Sequence, residues 1–182
     1  GTSGQILRSN ATSTPTWSTA TYPATAGTTG NILRSDGTNF VSTAITTAQS
    51  TPSNPTGTTS TTGLMMGLAG SSTPVRSGII LINISGDMAN NTAQDGASVQ
   101  SRTGTGTAPA NGAALTGTAR GSLIRIVNPS DTRGGTITAP FSANAIVTGL
   151  TAGTAVWIDT GLAAITGGTA SISNISISVN EL

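Results

Sequence analysis

"RSGIILINISG", residues 76–86, sets Ile80, Ile82 and Ile84 on alternate positions, and so on one side of an extended chain, with Ile79 and Leu81 on the other. β-branched residues in strict alternation between glycines read as a strand. The same grammar of short apolar runs between Gly, Asn, Pro and Asp clusters continues outward, predicting strands at 63–69, 97–103, 121–128, 140–149, 154–164 and 169–180. In the last of these Ile175, Ile177 and Val179 share a face. Seven or eight such strands within roughly 120 residues predict a jelly-roll-like β-sandwich. Apolar residues on both faces of 76–86 predict that its second face is covered too, and another subunit is the economical cover.

Composition agrees with an all-β chain. Of 182 residues only 7% are charged and 3% aromatic; His, Cys and Lys are absent and Glu181 is the one Glu. Exposed helix faces lack their usual formers, whereas Thr, Ser, Val and Ile favour extended chain. Disorder is disfavoured, because it pairs low hydrophobicity with high net charge, and here 35% of residues are apolar and the net charge is +1. The longest strongly apolar stretch, Ile79 to Ile82, stops at Asn83, far short of a membrane span, and no basic-then-apolar leader pattern is visible. No membrane insertion is expected. Seven scattered Arg make no nucleic-acid footprint. Without Cys, neither disulfides nor thiolate metal sites hold the fold, and the redox compartment stays open.

Upstream of the sandwich the chain repeats itself. "GQILRSNATSTPTW" at 4–17 returns as "GNILRSDGTNF" at 30–40, with Gly1 and Gly27 starting copies 26 residues apart, a spacing typical of repeat architectures. Each copy reads as a hairpin, turning at Asn10 or Asp36-Gly37. Each offers too little to bury for a core of its own, so several chains share one or the segment is flexible. Trp17 and Phe40 close the copies at near-equivalent points and are expected to plug a shared shaft. Residues 45–62, "ITTAQSTPSNPTGTTSTT", read as a neck or linker open to proteases, or as a mucin-like stalk. The expected organisation is therefore a hairpin shaft over 1–44, a neck over 45–62 and a sandwich head over 63–182. A start inside repeat grammar suggests a piece of a longer chain.

The repeat "GTTGNILRSDGTNFVSTA" resembles the glycine-opened hairpin repeats of bacteriophage tail-fibre and appendage proteins. The region from "TPVRSGIILINISGDMANN" to "TASISNISISVNEL" is similar to the C-terminal heads of such fibres, and more loosely to tumour-necrosis-factor-like jelly rolls. The resemblance implies a homotrimer: a thin shaft joined to other virion subunits on its N-terminal side, and a head adhering to a glycan or protein of a host surface. A secreted or cell-surface filament or adhesin built on the same stalk-and-head logic is the alternative. A polysaccharide-degrading spike is a third.

Catalytic chemistry has few residues to work with. Without His, Cys or Lys there is no Ser-His-Asp triad, no imidazole or thiolate zinc site and no Schiff base, which leaves carboxylate pairs of the glycosidase kind. The acids are Asp36, Asp87, Asp95, Asp131, Asp159 and Glu181. Asp36 and Asp131 read as turn residues. Only Asp87 and Asp95 fall close together, bracketing "MANNTAQ", so the expectation is a protein that is not an enzyme.

That same stretch, "SGDMANNTAQDG", is the candidate binding loop. Asp87, Asn90, Asn91 and Asp95 offer oxygen donors to Ca²⁺, but not at EF-hand spacing, and neither metal nor cofactor is expected. Their hydrogen-bonding groups also suit sugar hydroxyls at the tip of a head; a plain solvated loop is the bland reading. In "TAVWIDTG", Val156 and Ile158 share one face and Trp157 the opposite one, so Trp157 is either packing, in the core or between subunits, or a sugar-stacking platform. Sequons at Asn10, Asn83, Asn90 and Asn174 are expected by chance in a Ser/Thr-rich chain.

Overall fold

The computed structural model describes residues 1–11, 13–44, 46–130 and 136–182. The chain divides into two compact units, Gly1–Thr46 and Thr47–Leu182. Among the described residues there is no helix.

In the first unit, β1 (Leu7–Asn10) pairs with β2 (Ser13–Trp17), and β3 (Ile32–Ser35) with β4 (Phe40–Thr43), both antiparallel. The second turn is built by Asp36, whose Oδ1 accepts the amides of Thr38 (2.9 Å) and Asn39 (2.7 Å), with Gly37 in the left-handed region at φ 98°. These amide bonds, the larger from Asn39, and nearby Arg34 hold the Asp36 carboxyl below its ordinary pKa. In the first copy Ala11 takes the matching left-handed position at φ 49°. A bulge between Arg8 and Asn10 shifts the register, so Trp17 faces Leu7, whereas Phe40 faces Ser35 at the turn end. The expectation that Trp17 and Phe40 occupy near-equivalent points is thus corrected. Phe40 stacks on Tyr22 of its own chain, with ring centroids 4.6 Å apart, while Trp17 is exposed. Backbone bonds from Ser18 to Ile6, Tyr22 to Gly4 and Phe40 to Thr21 tie the two hairpins together.

The second unit contains β5 (Thr47–Ser50), β6 (Leu64–Met65), β7 (Gly70–Ser72), β8 (Ile80–Asn90), β9 (Gly96–Thr105), β10 (Thr118–Val127), β11 (Thr138–Val147), β12 (Val156–Ala164) and β13 (Ala170–Glu181). Counting β6 and β7 as one interrupted strand, the first pairs with the last (β5·β13), the second with the next to last (β6 and β7 with β12), then β8 with β11 and β9 with β10. This is one long antiparallel hairpin. Rolling it up brings β8 beside β13 and β9 beside β12, giving the sheets β11-β8-β13-β5 and β10-β9-β12-β6. Eight strands rolled this way into two facing sheets make a jelly-roll β-sandwich.

The core follows the alternation. Ile80, Ile82, Ile84 and Met88 from β8 meet Ile172, Ile175, Ile177 and Val179 from β13; Val99, Ile158 and Leu162 face them from the other sheet. Leu81, on the outer face, is half-buried.

Two boundaries differ from expectation. Thr47–Ser50 belong to the sandwich as edge strand β5, with Ala48 opposite Val179, and Thr58 bridges Ala170, so the expected neck is tied to the head at both of these places. The predicted strand 63–69 is interrupted: Gly67 (φ 68°) and Ala69 (φ 51°) turn the chain between β6 and β7. The buried Asp159 carboxylate fixes that break, accepting the amides of Gly67 (2.9 Å) and Leu68 (3.1 Å). Asp131 lies outside the described residues.

Candidate functional site

Three connections converge at one end of the sandwich: the β8–β9 turn, the β12–β13 loop and the chain leaving β10. The strand β8 runs through Asn90, so Met88 to Asn90 are not loop and the turn is only 91–95. Alternation then sends Asn90 inward and Asp87 outward.

Asn90 is 1% exposed and its amide is fully used. Nδ2 donates to the carbonyls of Gly96 (2.8 Å) and Gly167 (3.0 Å), and Oδ1 accepts the amide of Thr92 (2.9 Å). Asp95, 4% exposed, accepts the amides of Gly96 (2.7 Å) and Thr166 (2.9 Å) on Oδ1. Burial pushes its pKa up, but these bonds, with further ones from the Thr166 side chain and the Gly167 amide, together hold it below the usual 3.8. Asn91 is exposed, and its Oδ1 accepts the Thr169 amide at 2.7 Å. Asp87 stands apart on the outer face, where Asn174 Nδ2 donates to its Oδ2 at 2.8 Å.

The expectation that Asp87, Asn90, Asn91 and Asp95 offer one solvent-facing donor set is therefore corrected. Asn90 and Asp95 are buried because the turn has backbone groups that only side chains can satisfy. Asn91, Thr92 and Gln94 are the exposed members of the turn. Sequence reading missed Asn128, which is buried and donates through Nδ2 to the carbonyls of Asn90 (2.8 Å) and Thr92 (2.7 Å), while its Oδ1 accepts the Ile137 amide (3.1 Å). Its one sequence signal is the Asn128-Pro129 step, which favours a turn.

Trp157 lies on the outer face of its sheet, as alternation predicts, yet is only 6% exposed. The 106–117 connection folds back over it. Indole Nε1 donates to the Thr105 carbonyl (3.2 Å), and Arg102 anchors the returning loop through the carbonyls of Thr116 (2.6 Å) and Gly117 (3.1 Å). A covered indole is packing; as an open stacking platform Trp157 is corrected.

The described head carboxylates are likewise committed. Asp159 accepts three backbone amides, and burial, outweighing them, raises its pKa above 3.8. Glu181 pairs with Arg76 at 3.5 Å and takes the Ser77 amide at 2.9 Å. Among the described residues no cluster of three acids could hold a metal ion.

The fold and site thus define an all-β sandwich of jelly-roll strand order with a structurally pinned polar end. No family model and no curated protein matches the chain. Among the solved structures that overlap it are infectious bursal disease virus Gx strain, at TM-score 0.40 and 15% identity over 82% of this chain, and the Eiger TNF from S. frugiperda, at TM-score 0.36 and 11% identity over 75% of this chain and 85% of that one. The chain spans 37% of the length of the virus protein. Overlaps at this level assign neither family nor role, and the fold stands on its own strand order.

Proposed function

We propose that the chain is a non-catalytic structural and attachment subunit of a phage tail fibre or comparable virion appendage, with the 47–182 unit as a trimerising head and the hairpin repeats as part of a shaft. The observation that carries it is an exposed apolar edge beside a charge-poor sheet face. Leu123 and Val127 on β10, which flank the exposed Arg125, and Ile146 on β11 are 53%, 56% and 61% exposed. The outer face of the β11-β8-β13-β5 sheet presents mainly Ser, Thr and Asn, with Leu81 and Ile146 among them and Asp87 as its one charge. Loss of charge and gain of apolar area are what association surfaces show. Each such side chain removed from water contributes about 1.5–3 kcal/mol. Asp95, Asp159 and Glu181, whose carboxylates accept backbone amides, support binding over catalysis.

In this reading the polar end of the head touches a host glycan through Asn91, Thr92 and Gln94, held in shape by Asn90, Asp95 and Asn128. Weak single contacts become useful through multivalency, which raises avidity by roughly 10² to 10⁴. Sedimentation equilibrium of the intact chain tests the assembly: a trimer is expected, dissociating in Leu123→Asp with Ile146→Asp. A stable wild-type monomer at micromolar concentration rules it out. Adsorption to host cells that is unchanged by Asn91→Ala and Gln94→Ala in a folded trimer removes the contact assignment.

A further inference from the structure

We propose that the 1–46 unit carries a saccharide site of its own, between Tyr22 and the second hairpin turn. It does not depend on the head as a binding unit. Thr21, Tyr22, Asp36, Asn39 and Phe40 line one open concavity of about 440 Å³. The stacked pair Tyr22–Phe40 gives it an aromatic wall, the kind of surface on which the C–H face of a pyranose packs.

The polar groups beside that wall are already oriented. Asn39 Oδ1 accepts both the amide and the hydroxyl of Thr21, at 2.9 and 2.8 Å, which fixes the amide's orientation and leaves Nδ2 as a two-hydrogen donor without a partner among the described residues. Asp36 spends Oδ1 on the amides of Thr38 and Asn39, and its Oδ2 has no hydrogen bond among the described residues. The pKa of this carboxyl is lowered, so it is an ionised acceptor at neutral pH. A charged acceptor and an amide donor lining one concavity supply the two kinds of partner that sugar hydroxyls need.

Charge selects the class. Asp36 is the one charged group lining the concavity and Arg34 nearby offsets part of its charge, so the site favours no anion, and one acid is too few for a tight Ca²⁺ site; a neutral sugar fits best. Tyr22 also lines a neighbouring concavity of about 370 Å³ with Pro23, Ala24 and Leu33, which gives room for a second ring. The first repeat supplies an internal control. Asn10, Ser13 and Thr14 stand where the second copy has Asp36, Asn39 and Phe40, so the aromatic wall and the carboxylate are absent there.

Residue-resolved NMR of the full chain, titrated with glucose, galactose, mannose and N-acetylglucosamine and with their trisaccharides, tests this. At least one sugar is expected to shift the Asn39 side-chain amide and the Tyr22 and Phe40 ring signals saturably. Asp36→Asn keeps the turn-forming Oδ1 and should weaken binding about tenfold, as should Tyr22→Ala, while Asn10→Asp leaves it unchanged. The unsubstituted chain decides the matter even where a variant loses its hairpin. No saturable shift at these three residues with any sugar overturns the proposal, as do shifts at them produced by CaCl₂ alone. Shifts confined to residues 91–94 overturn it too, while leaving the head reading standing.

Discussion

Trp157 lies across the bare backbone of Gly104, its partner in the β9–β12 ladder: a Cβ at position 104 would sit 2.3 Å from the indole ring. Gly117, arriving from the 106–117 connection, makes the same allowance, with a Cβ there meeting the ring at 2.2 Å. The two glycines form a slot for the ring, which is how an outward-facing Trp becomes buried.

Gly104→Ala therefore overpacks the slot. Gly104 does not need a left-handed backbone, so the effect is steric and should cost about 1–3 kcal/mol. Trp157→Ala empties the slot and should cost about 3–5 kcal/mol. Chemical denaturation followed by a probe in the 47–182 unit checks both; a Gly104→Ala protein as stable as the parent contradicts the packing described.

Ala11 holds φ at 49° where the second repeat has Gly37. An alanine there bears a left-handed penalty of about 1–2 kcal/mol, of which the extra freedom of unfolded glycine takes back part. Ala11→Gly is expected to stabilise the first hairpin by roughly 0.5 kcal/mol, and Gly37→Ala to weaken the second. Amide exchange in Leu7–Asn10 and Ile32–Ser35 reads the two hairpins separately.

The sandwich was legible in the sequence because its core strands advertise themselves locally: Ile80, Ile82 and Ile84 alternate within five residues, and all three are fully buried. What escaped reading depends on partners far along the chain. The break between β6 and β7 is set by Asp159, about ninety residues downstream of Gly67. Strand β5 looks like linker because an edge strand needs only one apolar contact, here Ala48, and takes its order from β13. Asn90 reads as a surface Asx residue until Gly167 arrives beside it. The site was legible as a place and not as a set of exposed groups, since the same Asn and Asp chemistry that would bind a sugar also satisfies a buried turn.

Asp95 gives that polar end a pH dependence. Its pKa is lowered in the folded chain, so its contribution to stability is present above 3.8 and is lost as pH falls through the lower, folded value. Asp159 acts with the opposite sign: its raised value makes its contribution largest below 3.8 and smaller as pH rises through the folded pKa. A global melting curve mixes the two, so the local readout is the one to use. Exchange of the Gly96 and Thr166 amides should accelerate on going from pH 5 to below 3.8 beyond the intrinsic trend. In Asp95→Asn that extra acceleration should vanish; its persistence would assign the effect elsewhere.

On the core face of the β9–β12 sheet, Ser101 and Thr160 stand directly opposite each other, both 0% exposed, and neither side-chain oxygen has a hydrogen-bond partner among the described residues. A buried hydroxyl without a partner costs about 1–3 kcal/mol relative to water, whereas removing both hydroxyls at constant shape leaves nothing unsatisfied. Thr160→Val is nearly isosteric, and Ser101→Ala deletes one small atom. The double variant is therefore expected to be more stable than the parent by about 1 kcal/mol or more, in a protein where most core changes do the reverse. Denaturant midpoints at unchanged slope measure it. A loss of stability of about 1 kcal/mol in the double variant means that these hydroxyls are satisfied in solution, by each other or by a trapped water, and that they form a polar pair inside the core and not a strained one.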